Sequence, residues 1–394
     1  MPNIKRGMMA AAGAAGGTGY AFWIWGQNEA GMIPDGTTSK RTSPVQIGSE
    51  TYWLGRDPEA STIKRSTEIG SGNSVTNEGI LMAWGRGESG RMGDGTTVNK
   101  SSPVQIGSLT DWAVPAALGE AGLAVKTDGT LWAWGDGQHG VHGDGTQDDY
   151  SSPQQVGSDT DWKSVDGGPY MALAIKTDGT LWAWGNNQQG QLGVGDTTSR
   201  SSPTQVGSLT TWATANPGDE QAGAIKTDGT LWVWGKNASG QLGKSNLTDY
   251  SSPVQVGSLT TWSQLSFHRG RNAPSQGGWM AVKTDGTLWG TGTQEFFISW
   301  SGLATGEIGV GNSTEYSSPV QVGSDTDWKQ VSAGSYTTIA LRTDGTLWSW
   351  GRGYYGVSGN SNTTSYSSPQ QVGSESDWVE LGESNNNTYL AYKP

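Results

Sequence analysis

The sequence predicts an all-β fold, a closed seven-bladed β-propeller with four-stranded blades. Three observations predict it. Two short markers recur in step along the 394 residues, each interval holds room for four strands, and the chain begins and ends inside a repeat. One marker is "SSPxQVGS" or a close variant, with its proline at Pro44, Pro103, Pro153, Pro203, Pro253, Pro319 and Pro369. The other is "WxW", complete at Trp23/Trp25, Trp132/Trp134, Trp182/Trp184, Trp232/Trp234 and Trp348/Trp350, and half kept at Met82/Trp84 and Trp289/Thr291. A further tryptophan stands nine residues after each proline: Trp53, Trp112, Trp162, Trp212, Trp262, Trp328 and Trp378. The proline spacings of 59, 50, 50, 50, 66 and 50 residues fit a propeller period, and seven units fall within the usual range of about 4–8 blades.

Taken in order within one repeat, "DWKSVDGG" is a first strand and "YMALAIK" alternates into a second. The Asp-Gly of "TDGT" makes a tight hairpin turn, because both residues tolerate the positive φ such turns need. "TLWAWG" is the third strand; its two tryptophans are two residues apart and so share one sheet face. A glycine-rich loop follows, and "SPTQVG" is the fourth strand, where proline suits an edge. The chain opens at "YAFWIWG", a third strand with nothing before it, and ends at "DWVELGESNNNTYLAYKP", a first and second strand with nothing after them. Pairing residues 19–26 with segment 378–394 completes the seventh blade. This divides the chain into an N-terminal arm, residues 1–18, and the propeller, residues 19–394.

Composition agrees. Sixty-two glycines, 15 prolines and 15% charged residues favour turn-rich β structure over helix. The absence of cysteine excludes disulfides, thiolate metal sites and cysteine nucleophiles. A net charge of −12 argues against nucleic acid and anionic membranes, which call for a basic surface. No apolar run is long enough to span a membrane. The opening "MPNIKRGMMAAAGAAGG" has an apolar part of Ala and Gly without a Leu run, unlike a secretory signal peptide.

The repeat "AIKTDGTLWAWGNNQQGQLGVGDTTSRSSPTQV" resembles that of the regulator-of-chromosome-condensation propellers, over residues 19–394. The resemblance implies the seven-bladed fold. It leaves function open, since the family includes a nucleotide-exchange factor for a small GTPase, a plant ultraviolet photoreceptor and a secreted bacterial β-lactamase inhibitor. The photoreceptor's "GWRHT" signature is absent from this chain.

Nineteen of the 21 tryptophans belong to the two repeat positions, which identifies them as wedges filling the space between neighbouring blades. The "GDGT" strings at 93–96 and 143–146 lack the alternating carboxylates and closing glutamate of a calcium loop and read as turns. His139 and His142 share one loop without a third ligand in sequence, so no metal is expected. No serine elbow, phosphate loop or paired-carboxylate pattern appears, and the chain is expected to be non-enzymatic and without a cofactor.

Departures from the repeat carry more information. Extra residues fall in three places: within 54–79, within 263–280 and within 290–309. The last two decorate a single repeat and contain Phe267, Phe296, Phe297, the off-repeat Trp279 and Trp300, and the basic trio His268, Arg269 and Arg271. Aromatics and arginine are the residues enriched at binding hot spots. Two readings stand: a contact surface made of His268, Arg269, Arg271, Trp279, Phe296, Phe297 and Trp300, or a blade that lost "AWG" and repacked with substitutes. All three insertions lie in first-to-second or third-to-fourth connections, which emerge on one face of the disc. The short "TDGT" turns and the N-terminal arm belong to the other.

Residues 1–18 look similar to the openings of virion proteins of marine tailed phages, with Ile4, Lys5, Arg6, Met8 and Met9 as the anchoring positions. That resemblance implies a virion component, its arm docked in a tail or capsid subunit and its decorated face against a neighbouring subunit, a host receptor or a glycan. The alternative is an extracellular or cytosolic propeller that binds and regulates or inhibits a protein partner.

Overall fold

The computed structural model describes residues 19–49, 53, 65–68, 71–269, 277–292, 306–382 and 388–394. Among them are seven four-stranded antiparallel sheets, each a meander, arranged as a ring. Blade 4 shows the pattern: strands Trp162–Gly167, Met171–Lys176, Leu181–Gly185 and Arg200–Gln205, paired in that order. Numbering around the ring, blade 1 holds both chain ends, and blades 2 to 7 contain Trp84, Trp134, Trp184, Trp234, Trp289 and Trp350. First strands of successive blades pack against one another around the centre, whereas fourth strands are the half-exposed rim.

Blade 1 closes the circle as the repeat phase requires. Ala21–Gly26 pairs along its whole length with Thr388–Lys393, from Ala21 opposite Lys393 to Gly26 opposite Thr388. Its order from the rim inwards is Arg41–Gln46, Ala21–Gly26, Thr388–Lys393, Glu380–Leu381. The N-terminus supplies the two outer strands and the C-terminus the two inner ones, so no sheet edge is left at the seam.

Three backbone-directed bonds recur at the junctions between blades. At the turn face, the Trp162 amide donates to the Gly129 carbonyl of the previous blade, and Trp212, Trp262, Trp328 and Trp378 repeat this with Gly179, Gly229, Gly286 and Gly345. On the opposite, loop face, the Gly145 amide donates to Ser201 O of the next blade, and Gly195 to Ser251 O. In the core, the indole Nε1 of Trp184 donates to Val141 O at 2.8 Å and that of Trp234 to Gln191 O at 2.8 Å. The seam has all three: Trp378 N to Gly345 O, Ser361 N to Thr42 O, and Trp25 Nε1 to Val357 O at 3.0 Å.

Glycine is needed where blades touch most closely. Gly190 has φ +74°, and a Cβ there would stand 2.8 Å from Ser251 Cα of the next blade. Each "TDGT" turn is also a small network. Asp178 Oδ1 accepts both the Thr180 amide and hydroxyl, and Thr180 Oγ1 accepts Nε1 of Trp182 at 2.9 Å. In blades 3 to 7 the first tryptophan is thus tied to its own turn, and the second, where present, to the preceding blade.

Removing residues 378–394 deletes the inner half of blade 1 and exposes an edge beside Trp23 and Trp25. The shortened chain is expected to unfold at a markedly lower temperature in a thermal melt followed by circular dichroism; an unchanged melting temperature contradicts closure by the C-terminal strands.

Candidate functional site

The insertion expected on the loop face in blade 2 is corrected. Trp53 pairs with Thr76 and Arg65 with Ser74, which puts the extra residues between Trp53 and Arg65, at the turn-face start of the first strand. The described ends of the two insertions in blade 6 do lie on the loop face, and blade 6 is where the repeat is most altered. Its sequence-derived candidates divide sharply. Trp279 is fully buried on strand Gly278–Lys283, opposite Thr291. In blade 5 the equivalent pair is Ala222 opposite Trp234, and in blade 4 it is Ala172 opposite Trp184. Blade 6 has therefore exchanged large and small residues across one strand pair. Trp279 Nε1 donates to Leu242 O at 3.2 Å, the bond that a regular third-strand tryptophan makes, and its ring meets Trp262 edge-on at 5.7 Å. Trp279 belongs to the core and is corrected out of the contact surface. Phe267, 1% exposed, packs in the same cluster.

His268 and Arg269 are also corrected from exposed hot spots to buried struts, with 6% and 4% of their surfaces exposed. They lie where the first strand of blade 6, Trp262–Phe267, ends at the channel mouth. An Arg269 guanidinium nitrogen is 3.6 Å from Asp166 Oδ1 of blade 4, and the other Asp166 oxygen accepts Asn216 Nδ2 of blade 5 at 2.9 Å. Asn216 Oδ1 in turn accepts the Phe267 amide. On the other side, His268 Nδ1 bonds Gly334 O of blade 7 at 3.0 Å, and the Ser335 hydroxyl donates to Arg269 O. These side chains brace blades 4 to 7 around the centre. Burial pushes the His268 pKa down to about 4, the bond to the Gly334 carbonyl opposing only in part.

Arg271, Phe296, Phe297 and Trp300 lie outside the described residues, as do the arm positions Ile4, Lys5, Arg6, Met8 and Met9. The chain enters the ring at Tyr20, whose amide donates to Trp53 O, next to the Lys393 end of the seam.

What the loop face does expose was missed in the sequence. The residue before each second strand changes from blade to blade: Glu120, Tyr170, Glu220, Gly277, Tyr336. Each of the four side chains has its own neighbours. Glu120 approaches Arg91 at 3.3 Å, Tyr170 meets His139 edge-on at 5.1 Å, and Glu220 pairs with Lys236 at 2.5 Å. Arg352 lies over both Tyr336 (5.3 Å) and Tyr354 (5.0 Å), the latter 53% exposed. Burial raises the Tyr336 pKa, Arg352 working against it. A pocket of ≈ 80 Å³ opens between blades 3 and 4, lined by Glu120, Asp136, Gln138 and Tyr170 among others. That is far below the roughly 300 Å³ of a small-molecule site.

The remaining motifs are structural. Asp94 and Asp144, in the "GDGT" strings, accept the amide and hydroxyl of Thr96 and Thr146 and pair with Lys100 and Tyr150 respectively. His142 is buried at the position held by Leu192 and Leu242 elsewhere and stacks on Tyr150 at 5.1 Å, while His139 faces Tyr170.

The turn face carries the other missed feature. Lys176 Nζ sits 4.7 Å above the Trp162 ring and 4.8 Å from Trp182. Lys126, Lys226, Lys283, Arg342 and Lys393 take the same place between the two tryptophans of their blades. The recurring basic residue before "TDG" was the available signal.

Comparison with known proteins places these features. The model of the regulator of chromosome condensation (RCC1) repeat matches residues 78–121, 128–175, 178–224, 228–269 and 344–381, more than half the chain. A second model of the same repeat matches 162–191 and 328–357. The ultraviolet-B receptor UVR8 of Arabidopsis thaliana is 40% identical over 85 residues, 20% of this chain and 17% of the receptor, so the chain matches only a small part of that relative's length. Human WBSCR16 superposes with a TM-score of 0.79 at 14% identity, covering 95% of this chain and 98% of that one. Prp20p of Saccharomyces cerevisiae, solved in a study of its binding to Gsp1p and histones, gives 0.76 at 18% identity, covering 96% and 92%. At these identities the structural likeness establishes the fold alone.

Two predictions follow from the buried residues. Trp279→Ala is expected to cost about 3–5 kcal/mol in chemical denaturation, and adding Thr291→Trp to recover much of it, because the doubly substituted blade regains the regular arrangement. No recovery in the double variant contradicts the exchange. His268 has a folded pKa below its unfolded value of 6.5, so the unfolded chain binds more protons between about pH 6.5 and 4. Its contribution is complete above pH 6.5 and is lost as the pH falls towards 4. Across that window a His268→Gln chain is expected to show a shallower loss of stability than the parent.

Proposed function

The chain belongs to the regulator of chromosome condensation repeat family, and from that membership we propose that it is a non-enzymatic propeller that binds and regulates a protein partner through its loop face. The observation that carries this reading is the contrast between the two faces. The turn face repeats Thr-Asp-Gly-Thr in five blades, at 127–130, 177–180, 227–230, 284–287 and 343–346, where each turn has a structural task. The loop face varies at equivalent positions and presents Tyr170, Tyr336, Tyr354 and Arg352, residue types that dominate protein interfaces. The ≈ 80 Å³ pocket described on this face is too small for a drug-sized ligand. That Prp20p is described as binding Gsp1p and histones supports the class of function and leaves this chain's partner to be found.

The virion setting rests on arm residues outside the described part of the chain, and the partner-binding reading stands ahead of it because it rests on the ring. Affinity capture from the source cells, with cross-linking and mass spectrometry, is the experiment. Arg352→Glu combined with Tyr354→Ser is expected to weaken capture of the specific partner by roughly tenfold or more with an unchanged melting temperature. Equal capture by the parent and this variant, with cross-links confined to the rim or turn face, contradicts the assignment.

A further inference from the structure

The cation between the two tryptophans is neutralised in some blades and not in others. In blade 4, Lys176 Nζ is 2.7 Å from Asp159 Oδ2 and 3.0 Å from Asp161 Oδ1. Arg342 pairs with Asp325 and Asp327 in blade 7, Lys393 with Glu375 and Asp377 in blade 1, and Lys126 with Asp111 in blade 3. All these carboxylates come from the segment just before the first-strand tryptophan. In blades 5 and 6 that segment reads "SLTTW", so Leu209 and Thr211 replace Asp159 and Asp161 beside Lys226, and Leu259 and Thr261 replace them beside Lys283.

The substitution is not accompanied by a shift of backbone. Thr227 N donates to Thr211 O and Thr284 N to Thr261 O, as Thr177 N does to Asp161 O. Lys226 and Lys283 still press on Trp232 and Trp289, each 3.7 Å from the ring centroid, and among the described residues neither makes an ion pair. Burial lowers both lysine pKa values, with only the nearby Asp228 and Asp285 in opposition. By contrast, burial is outweighed at Lys176 by Asp159 and Asp161, and its pKa is raised. Leu209 and Leu259 are 42% and 47% exposed. Two adjacent blades thus present a desolvated cation beside an exposed leucine, bracketed by acidic blades 4 and 7.

We propose that the turn face of blades 5 and 6 is a docking surface for an extended acidic segment of a partner protein, whose carboxylates take at Lys226 and Lys283 the places of Asp159 and Asp161 at Lys176. Blade 4 demonstrates the approach: Asp159 reaches its lysine from the solvent side and remains 54% exposed. A partner carboxylate arriving from solvent meets the same geometry. Charge complementarity selects acid, because both cations are partly stripped of water and held by ring faces rather than by a countercharge. The flanking leucines select a polypeptide with apolar side chains between its acids over a free anion. The site is on the face opposite the proposed regulatory surface and is independent of it.

The test uses the full chain and a fluorescein-labelled synthetic peptide rich in glutamate with interspersed leucines, followed by fluorescence anisotropy. A second peptide with glutamine in place of glutamate is the control. The acidic peptide is expected to bind in a salt-sensitive manner, the control at least about tenfold more weakly. Leu209→Asp, Thr211→Asp, Leu259→Asp and Thr261→Asp together install the blade 4 sequence, which the fold already accommodates. That variant is expected to keep or raise its melting temperature and to lose the acidic peptide by roughly tenfold or more. Conversely, Asp159→Leu with Asp161→Thr extends the lysine sector and is expected to tighten binding. Equal binding of both peptides, or undiminished binding by the four-aspartate variant, overturns the proposal. Displacement of the peptide by inorganic sulfate at comparable concentration also overturns it, leaving a small-anion site.

Discussion

Six of the seven blades depend on one buried donor, the indole N–H of the tryptophan wedged against the preceding blade. In blade 2 the ring of Trp84 is buried in the same place, but its N–H has no partner among the described residues. A tryptophan with none of its surface exposed cannot turn that donor to water, and leaving it unpaired costs about 1–3 kcal/mol. Trp134, Trp184, Trp234, Trp279, Trp350 and Trp25 all satisfy it with a carbonyl on the neighbouring blade's loop. The same ring is part of the apolar cluster at the junction. Neither the bond nor the burial exists within an isolated blade, so a blade is completed only by its neighbour. The ring is the smallest unit in which these demands are met together.

Two further features follow. The loop receiving the indole has to come close to the next blade's rim strand, and glycine at Gly190 and its equivalents permits that approach. The turn at the other face has to offer its glycine carbonyl to the next tryptophan amide. The Asp-Thr-Trp chain within the turn fixes its shape, and the hydrogen bonds from Thr180 hold the Asp178 carboxyl below the usual range. With inner, outer and both axial sides of a blade fixed in this way, exposed variation concentrates at loop-face tips and in the short segments ahead of first strands. Those are also the places where the two proposed binding surfaces lie.

Blade 6 shows how the constraint governs change. Its third strand carries Thr291 where tryptophan is regular, yet the donor and the volume return on the adjacent strand as Trp279. An altered repeat in a closed ring cannot be left unfilled, because both neighbours lose contacts. Much of what marks blade 6 as unusual in sequence is accordingly a compensation. His268 and Arg269 extend this: they close polar contacts between four blades at the channel mouth, and their charge chemistry is spent inside the protein.

The sequence by itself determined the number of blades, the strand order within each and the closure of the ring. These depend on a period, on alternation and on the phase at which the chain starts and stops, all of which are local or additive along the chain. It also determined that the repeated tryptophans are structural. It did not determine the fate of Trp279, His268 and Arg269, because burial depends on which residue stands across a strand pair or on a blade two places away. The lysine cages were equally hidden. Lys226, Trp212, Trp232 and the segment at 209–211 are separated in the chain, and only the folded blade brings cation, rings and missing countercharge to one point. Period and phase are properties of a line of residues, whereas exposure and pairing are decided by packing in three dimensions.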